Sequence, residues 1–277
     1  MTNTTRSLVC TVLLAGCALV SAHAQSVYEP FNYTVGGNLA GNVLGASTWA
    51  SLNSGTAPSI ASGNLTVAGL AASSGNSVTL PGGNHQEALL PFTSVTSGTL
   101  FYSLALNLAT APTGASYMFA LATNNTNYGA TVWLQASGAG YQLGISNRSS
   151  GATPTYAPTV YALGQTVFIV GSYTFNAGVG DDSSSLWINP SAATFGDDAI
   201  PSATVTVTGG TDMSALTQFL IRGASGSPSG VLDELRVGTT WSEVTAAAAI
   251  PEPSTYAAIL GALALAGVVL RRRSRLA

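Results

Sequence analysis

Lysine is absent from this sequence. All eight basic residues are arginine, and four of them (Arg271, Arg272, Arg273 and Arg275) fall in its last seven positions. Arg6 precedes an N-terminal apolar run. Residues 25–249 therefore keep only Arg148, Arg222 and Arg236 against ten acids, a formal charge of −7. So few cations cannot neutralise a row of phosphates, which excludes nucleic acid as a partner. Charged residues make up only 7% of the chain, but hydrophobic ones make up 46%. Disorder needs low hydrophobicity as well as polarity, so the middle of the chain reads as a folded domain with a neutral, hydroxyl- and amide-rich surface.

Cysteine is almost as scarce. Cys10 and Cys17 both lie in the first 24 residues, so the rest has no disulfide, thiolate metal site or cysteine nucleophile. Beyond His23 the single histidine is His85. One histidine cannot build the usual zinc site, and no Gly-x-Ser-x-Gly elbow accompanies it. It reads as a surface-loop residue after Gly82-Gly83-Asn84. No phosphate loop or dinucleotide fingerprint is present, and no cofactor is expected.

Both ends carry processing signals. Arg6, the apolar stretch Leu8–Val20 and the A-x-A site Ala22-His23-Ala24 read as a secretory signal over 1–24, cut to leave Gln25. Leu14-Ala15-Gly16-Cys17 keeps a lipobox reading open, with Cys17 lipidated. At the other end Pro251-Glu252-Pro253 precedes an apolar run, Ala257–Leu270, of 14 residues. As helix that run spans about 21 Å, short for a bilayer core of about 30 Å. Starting near 254 lengthens it, and snorkelling arginines make up more. Positive charge stays inside, so the arginines of 271–275 are expected in the cytoplasm and residues 25–249 outside the inner membrane.

This order (Pro-Glu-Pro, hydrophobic helix, arginine cluster) resembles the PEP-CTERM sorting signal of Gram-negative bacteria. The resemblance covers 250–277. It implies an exosortase-type sorting enzyme as partner, acting near Pro251, Glu252 and Pro253. It also implies residence in the inner membrane before processing, then the cell surface or an exopolysaccharide matrix. A plain membrane anchor explains the helix and the arginines but not the Pro-Glu-Pro.

Period-2 patterning dominates 25–249. In Thr99–Leu108, Leu100, Tyr102, Leu104, Leu106 and Leu108 alternate with Phe101, Ser103, Ala105 and Asn107, as in a strand packed on a second sheet. Further candidate strands are Asn64–Ala68, Ser77–Leu80, Tyr117–Ala122, Thr131–Gln135, Tyr141–Ile145, Gln165–Thr174, Ser185–Ile188, Thr204–Thr208, Gln218–Arg222 and Val231–Val237. Turn-forming clusters separate them, and no fixed repeat period supports a solenoid. The pattern predicts an all-β, two-sheet antiparallel sandwich flanked by the signal helix and the C-terminal transmembrane helix.

Three passages sharpen that prediction. They are Tyr28-Glu29-Pro30-Phe31-Asn32-Tyr33 with Trp49 downstream, Tyr161–Val170 followed by Ser185–Pro190, and Gly230–Gly238 with Trp241. In this order they resemble the first, central and closing strands of the concanavalin A-like (laminin-G-like) jelly-roll group. The resemblance implies that the closing strand lies beside the first and that the central strand forms a hairpin with its successor.

Many jelly-roll proteins hydrolyse glycosides, which takes two carboxyls flanking the scissile bond. Asp233 and Glu234 are adjacent and alternate across a strand. One is expected to cap a loop or pair with Arg236 or Arg222, the other to face solvent. Asp181, Asp182, Asp197 and Asp198, in two loops, are candidate Ca²⁺ ligands, although aspartate-rich turns also form for backbone reasons. Trp133, Trp187 and Trp241 read as core. Trp49, in a Ser/Thr-rich context, reads as the tryptophan most available to a sugar ring. The loop amides Asn124, Asn125 and Asn127, with Tyr128, are candidates to hydrogen-bond carbohydrate hydroxyls and are equally good turn formers. The expectation is an exported, non-catalytic surface or matrix protein. A lectin-like module is the alternative, and a glycoside hydrolase comes behind both.

Overall fold

The computed structural model describes residues 26–148 and 153–249, together with Leu263, Leu265 and Arg271, which are helical. The signal segment with Ala22 and Ala24, the Pro251-Glu252-Pro253 motif and the rest of the arginine cluster (Arg272, Arg273 and Arg275) lie outside the described residues. Among the described residues no helix is long and apolar enough to cross a membrane.

Short strands come first: β1 (Val27–Glu29), β2 (Val43–Leu44), β3 (Ser47–Thr48), β4 (Ala50–Leu52), β5 (Ser59–Ala61) and β6 (Ser77–Leu80). The long ones follow: β7 (Glu87–Val95), β8 (Gly98–Leu108), β9 (Ser116–Ala122), β10 (Tyr128–Ser137), β11 (Gly140–Arg148), β12 (Thr155–Tyr156) and β13 (Thr166–Phe175). Then come β14 (Ser183–Ile188), β15 (Val205–Thr208), β16 (Leu216–Ile221) and β17 (Gly230–Gly238). They form a two-sheet antiparallel jelly roll. An eight-stranded sheet runs β15-β14-β13-β8-β17-β6-β5, with β1 also beside β17, and a seven-stranded sheet runs β12-β11-β10-β9-β16-β7-β4. The expected neighbours are present: β1 pairs with β17, and β13 forms a hairpin with β14.

Alternation puts the core between the sheets. Leu100, Tyr102, Leu104, Leu106 and Leu108 of β8 face Phe119, Leu121, Val132, Leu134, Phe219 and Ile221 of the opposite sheet, all buried. Tyr102 meets the ring of Phe219 at 5.3 Å, and its hydroxyl donates to the carbonyl of Ala130 at 2.7 Å. This core closes within 26–249. The other face of β8 is also covered. Phe101, Phe168, Val170 and Trp187 sit under Trp241, Val244 and Phe195 in a second cluster. Trp241 is core as predicted, but on a one-turn helix (Trp241–Val244), where Thr240 and Glu243 form a capping box.

Three expectations are corrected. Asn64–Ala68 is no strand, because the Leu65 amide goes to the Asp233 carboxylate at 2.8 Å instead of a ladder partner. The nine-residue β7 was not expected, because Pro91 interrupts it. Pairing with β4 has already stopped at Leu89, and the register against β16 shifts just beyond Pro91. Asp233 and Glu234 do not split between core and solvent, since both are fully buried. A bulge in β17 lies between Asp233 and Arg236, with Glu234 at φ +57°. It turns Glu234 onto Arg236 (2.7 Å) and the Tyr28 hydroxyl (2.9 Å), while Asp233 accepts the amides of Leu65 and Glu234.

Candidate functional site

Trp49 is 1% exposed. Its indole N–H donates to Glu29 at 2.8 Å, and its ring packs 6.2 Å from Phe31. The Tyr33 hydroxyl and Phe31 amide, each at 2.7 Å, complete the Glu29 carboxylate's donors. Burial alone would make a lone carboxylate costly, and Trp49 is one of three groups that satisfy it. Trp49 is therefore corrected from ligand candidate to core.

Trp133 is corrected in the other direction. Val132 and Leu134 fill the core, so Trp133 stands on the outer face of the seven-stranded sheet, half-exposed. Register carries this position across the whole sheet. Tyr156 on β12 lies opposite Gly144, Gly144 opposite Trp133, and Trp133 opposite Tyr117 on β9. The Arg222 amide, just past β16, donates to Met118 at 2.8 Å, which brings its guanidinium 4.0 Å above the Tyr117 ring. Arg222 Nε reaches Glu87 on β7 at 3.4 Å, and Asn53, next to β4, donates to the same carboxylate at 3.1 Å. The result is one row perpendicular to the strands: Tyr156, Trp133, Tyr117, Arg222, Glu87, Asn53. Six strand spacings make it about 29 Å long at roughly 4.8 Å each.

The row is fixed from below and beside. Tyr117 and Trp133 rings meet at 5.1 Å, and Tyr128 packs 5.9 Å from Tyr117. The Trp133 indole N–H donates to Ser146 at 2.7 Å, which locks the ring. A Cβ on Gly144 would fall 2.8 Å from the Tyr156 ring, so glycine there lets Tyr156 lie over the sheet. Gln135 and Gln142, hydrogen-bonded at 3.1 Å, edge the row with amides. Burial raises the Glu87 carboxyl pKa, opposed by the Arg222 charge and the Asn53 hydrogen bond. Burial, and then the Glu87 charge, pushes the Tyr128 hydroxyl up to about 12.

The loop residues have other work. Asn124 Oδ1 accepts from the Thr126 and Asn127 amides at 2.9 and 3.0 Å, which closes the turn between β9 and β10. The Tyr128 hydroxyl donates to the Asn125 carbonyl, and Tyr128 is buried. Asn127 accepts from Arg148 at 3.1 Å beside a hollow of about 220 Å³ that Asp212 also lines. Among the described residues Asp181, Asp182 and Asp212 bring one oxygen each within 4.8 Å of one another, without Asp197 and Asp198, which are exposed. Backbone donors occupy much of that cluster. Asp212 accepts from Gly180 and Asp182, Asp182 from Asn176 and the Tyr173 hydroxyl, and Asp181 from Gly178. These are loop staples first, and the Ca²⁺ reading keeps only two of its four acids.

His85 is corrected too. It is 1% exposed, with Nδ1 2.8 Å from the Gln86 carbonyl and Nε2 without a partner. Sequence reasoning missed Tyr117, Tyr156, Arg222 and Glu87 as site residues. A signal for the row existed in β10, where Thr131, Trp133 and Gln135 share the phase opposite to Val132 and Leu134.

Residues 249–273 match the family model described as the PEP-CTERM protein-sorting motif. The chain thus carries the sorting signal of an exported surface protein, anchored through its C-terminal segment before processing. No curated protein matches the sequence. Solved structures of similar course include domain 4 of AbnA, a GH43 extracellular arabinanase from Geobacillus stearothermophilus, in complex with arabinotriose. It is 18% identical, with TM-score 0.41, covering 72% of this chain and 87% of that one. An endo-beta-1,4-glucuronan lyase from the fungus Trichoderma reesei is 14% identical, with TM-score 0.47 and coverage of 76% and 98%. A heptameric SAP-like pentraxin from Limulus polyphemus is 17% identical, with TM-score 0.36 and coverage of 67% and 79%. None of these likenesses bears on what this chain does.

Proposed function

We propose that this exported protein is a non-catalytic component of the extracellular polysaccharide, and that its sandwich holds a neutral glycan chain along the row from Tyr156 to Asn53. The aromatic row carries this reading. Half-exposed rings offer flat apolar faces for sugar C–H surfaces, with amides beside them for hydroxyls. Their rigid seating means little ordering cost on binding. The glycan is neutral because Arg222, the cation of the row, is committed to Glu87, and the domain carries −7 overall. A polyanionic chain would meet net repulsion.

The same row speaks against hydrolysis. That reaction takes two carboxyls about 5 to 9.5 Å apart across the bond, and the row offers Glu87, held by Arg222 and Asn53. Asp233, Glu234 and Glu29 are buried in structural networks elsewhere.

Binding of residues 25–249 to immobilised neutral and acidic polysaccharides tests the proposal. Neutral chains are expected to be retained intact. Trp133→Ala is expected to weaken retention at least tenfold, about 1.4 kcal/mol, with its melting temperature little changed because Trp133 lies outside the core. Retention unaffected by Trp133→Ala, a preference for acidic chains, or shortening of the glycan would each overturn it.

A further inference from the structure

Among the described residues five strands stand at the edges of the two large sheets, and four are covered or very short. β12, β4 and β1 have two, three and three residues. β5 is covered by the chain itself: Gly36 donates to Ile60, Ile60 to Gly37 and Leu39 to Pro58, each at 2.8 Å. The fifth edge, β15, differs, with four residues. Past its C-terminal end the Gly209 amide continues the ladder onto Asp182 (3.0 Å), while at its N-terminal end the register breaks, the Thr204 amide bonding Leu186 (2.8 Å), which already pairs with Val205. Since Gly209 bonds inward, antiparallel alternation directs the main-chain N–H and C=O of Thr206 and Thr208 away from β14. Residues 203–210 read Ala-Thr-Val-Thr-Val-Thr-Gly-Gly, with no charge and no proline. Lysine, proline and inward charge are the usual guards of an edge, and this edge has none of them.

From this edge we infer that a second copy of the chain docks antiparallel along β15, joining the two eight-stranded sheets into one. The segment is complementary to itself. A two-fold axis at Val207 sets Thr206 opposite the other copy's Thr208, so each pair exchanges its outward groups, about four main-chain hydrogen bonds in all. Threonine meets threonine on the exposed face, a favourable cross-strand pair. The half-buried Val207 meets its own copy on the core side, where Val205 is already 9% exposed. A two-fold contact uses both edges and closes, so association stops at the dimer. The glycan row lies on the other sheet, with only its Tyr156 end, on β12, beside β15. The dimer then presents two rows and gains avidity on a long chain. The docking itself does not rest on the glycan reading.

The test is mass by sedimentation and light scattering on residues 25–249, whose core closes without either terminus. The wild type is expected at twice the chain mass at micromolar concentration, with the Thr206 and Thr208 amides protected from hydrogen exchange. The double variant T206K/T208K puts like charges together across the axis at exposed positions. It is expected at single-chain mass, with unchanged melting temperature and unprotected amides. T208P, which removes one outward donor, provides a second variant with the same expectation. A wild type at single-chain mass across the concentration range, a T206K/T208K protein that remains dimeric, or open-ended fibres would overturn the inference. Glycan retention by single-domain T206K/T208K reads the row independently of the dimer.

Discussion

Two tryptophans show how far a residue's neighbours in sequence can mislead. Trp49 sits among Ser, Thr and Gly and looks exposed, yet it is buried because Glu29 needs its N–H. Trp133 sits in an apolar strand and looks buried, yet its phase turns it outward. Sequence neighbours give polarity, but partners twenty residues away decide burial. His85 follows the same logic, and its burial has a pH consequence. Desolvation lowers its pKa below the usual 6.5 or so. The unfolded chain therefore takes up that proton first, and stability falls as pH drops through about 6.5. Asp233 acts oppositely. Burial raises its carboxyl to about 7, so the folded chain takes up this proton first and stability rises as pH falls through about 7, levelling below the unfolded value near 4. Melting temperatures of His85→Gln and Asp233→Asn measured from pH 8 to 4 are expected to bend in opposite directions from the wild type. The His85 variant should lose less on acidification, and the Asp233 variant should lose the compensating gain. Parallel profiles would contradict both assignments.

At the scale of elements, strands with clean alternation were legible. β8, β13 and β17 lie close to where period-2 patterning puts them. What escaped were the elements whose reasons are non-local. β7 contains a proline tolerated where its pairing changes, and Asn64–Ala68 gives its amide to a carboxylate far along the chain. The bulge in β17 lets Asp233 and Glu234 both be buried where one was expected to face solvent, which no spacing rule reports. Gly144 illustrates an element built for a site. A Cβ there would stand 2.6 Å from the Thr155 carbonyl oxygen as well as against Tyr156. Gly144→Ala is expected to push β12 off the sheet edge, at a cost of about 1–3 kcal/mol. Glycan affinity should fall with it, since Tyr156 loses its bed. Calorimetric unfolding and a binding isotherm of the variant measure the two effects together, and a variant of full stability with displaced Tyr156 is not expected.

For the whole molecule, the C-terminal segment was the most informative signal. Its Pro-Glu-Pro, apolar run and arginine cluster resemble a sorting signal, and the sorting motif is matched over 249–273. The row was not legible, because its six residues come from four strands and from two positions just past strand ends, Arg222 and Asn53. Its Tyr156, Trp133 and Tyr117 come from the consecutive run β9 to β12, but Glu87 and Arg222 are 135 positions apart yet 3.4 Å from each other. The central claim is that this row is where glycan lies, and the tryptophans report on it directly. Trp49, Trp187 and Trp241 are 1%, 5% and 1% exposed, while Trp133 is half-exposed. Fluorescence quenching by a small neutral quencher should therefore act mainly on Trp133. Adding a saturating neutral polysaccharide should shield it, and Trp133→Phe should remove both the quenching and the shielding. Quenching that stays unchanged while the glycan is demonstrably bound would place the glycan elsewhere on the protein and contradict the row as its site.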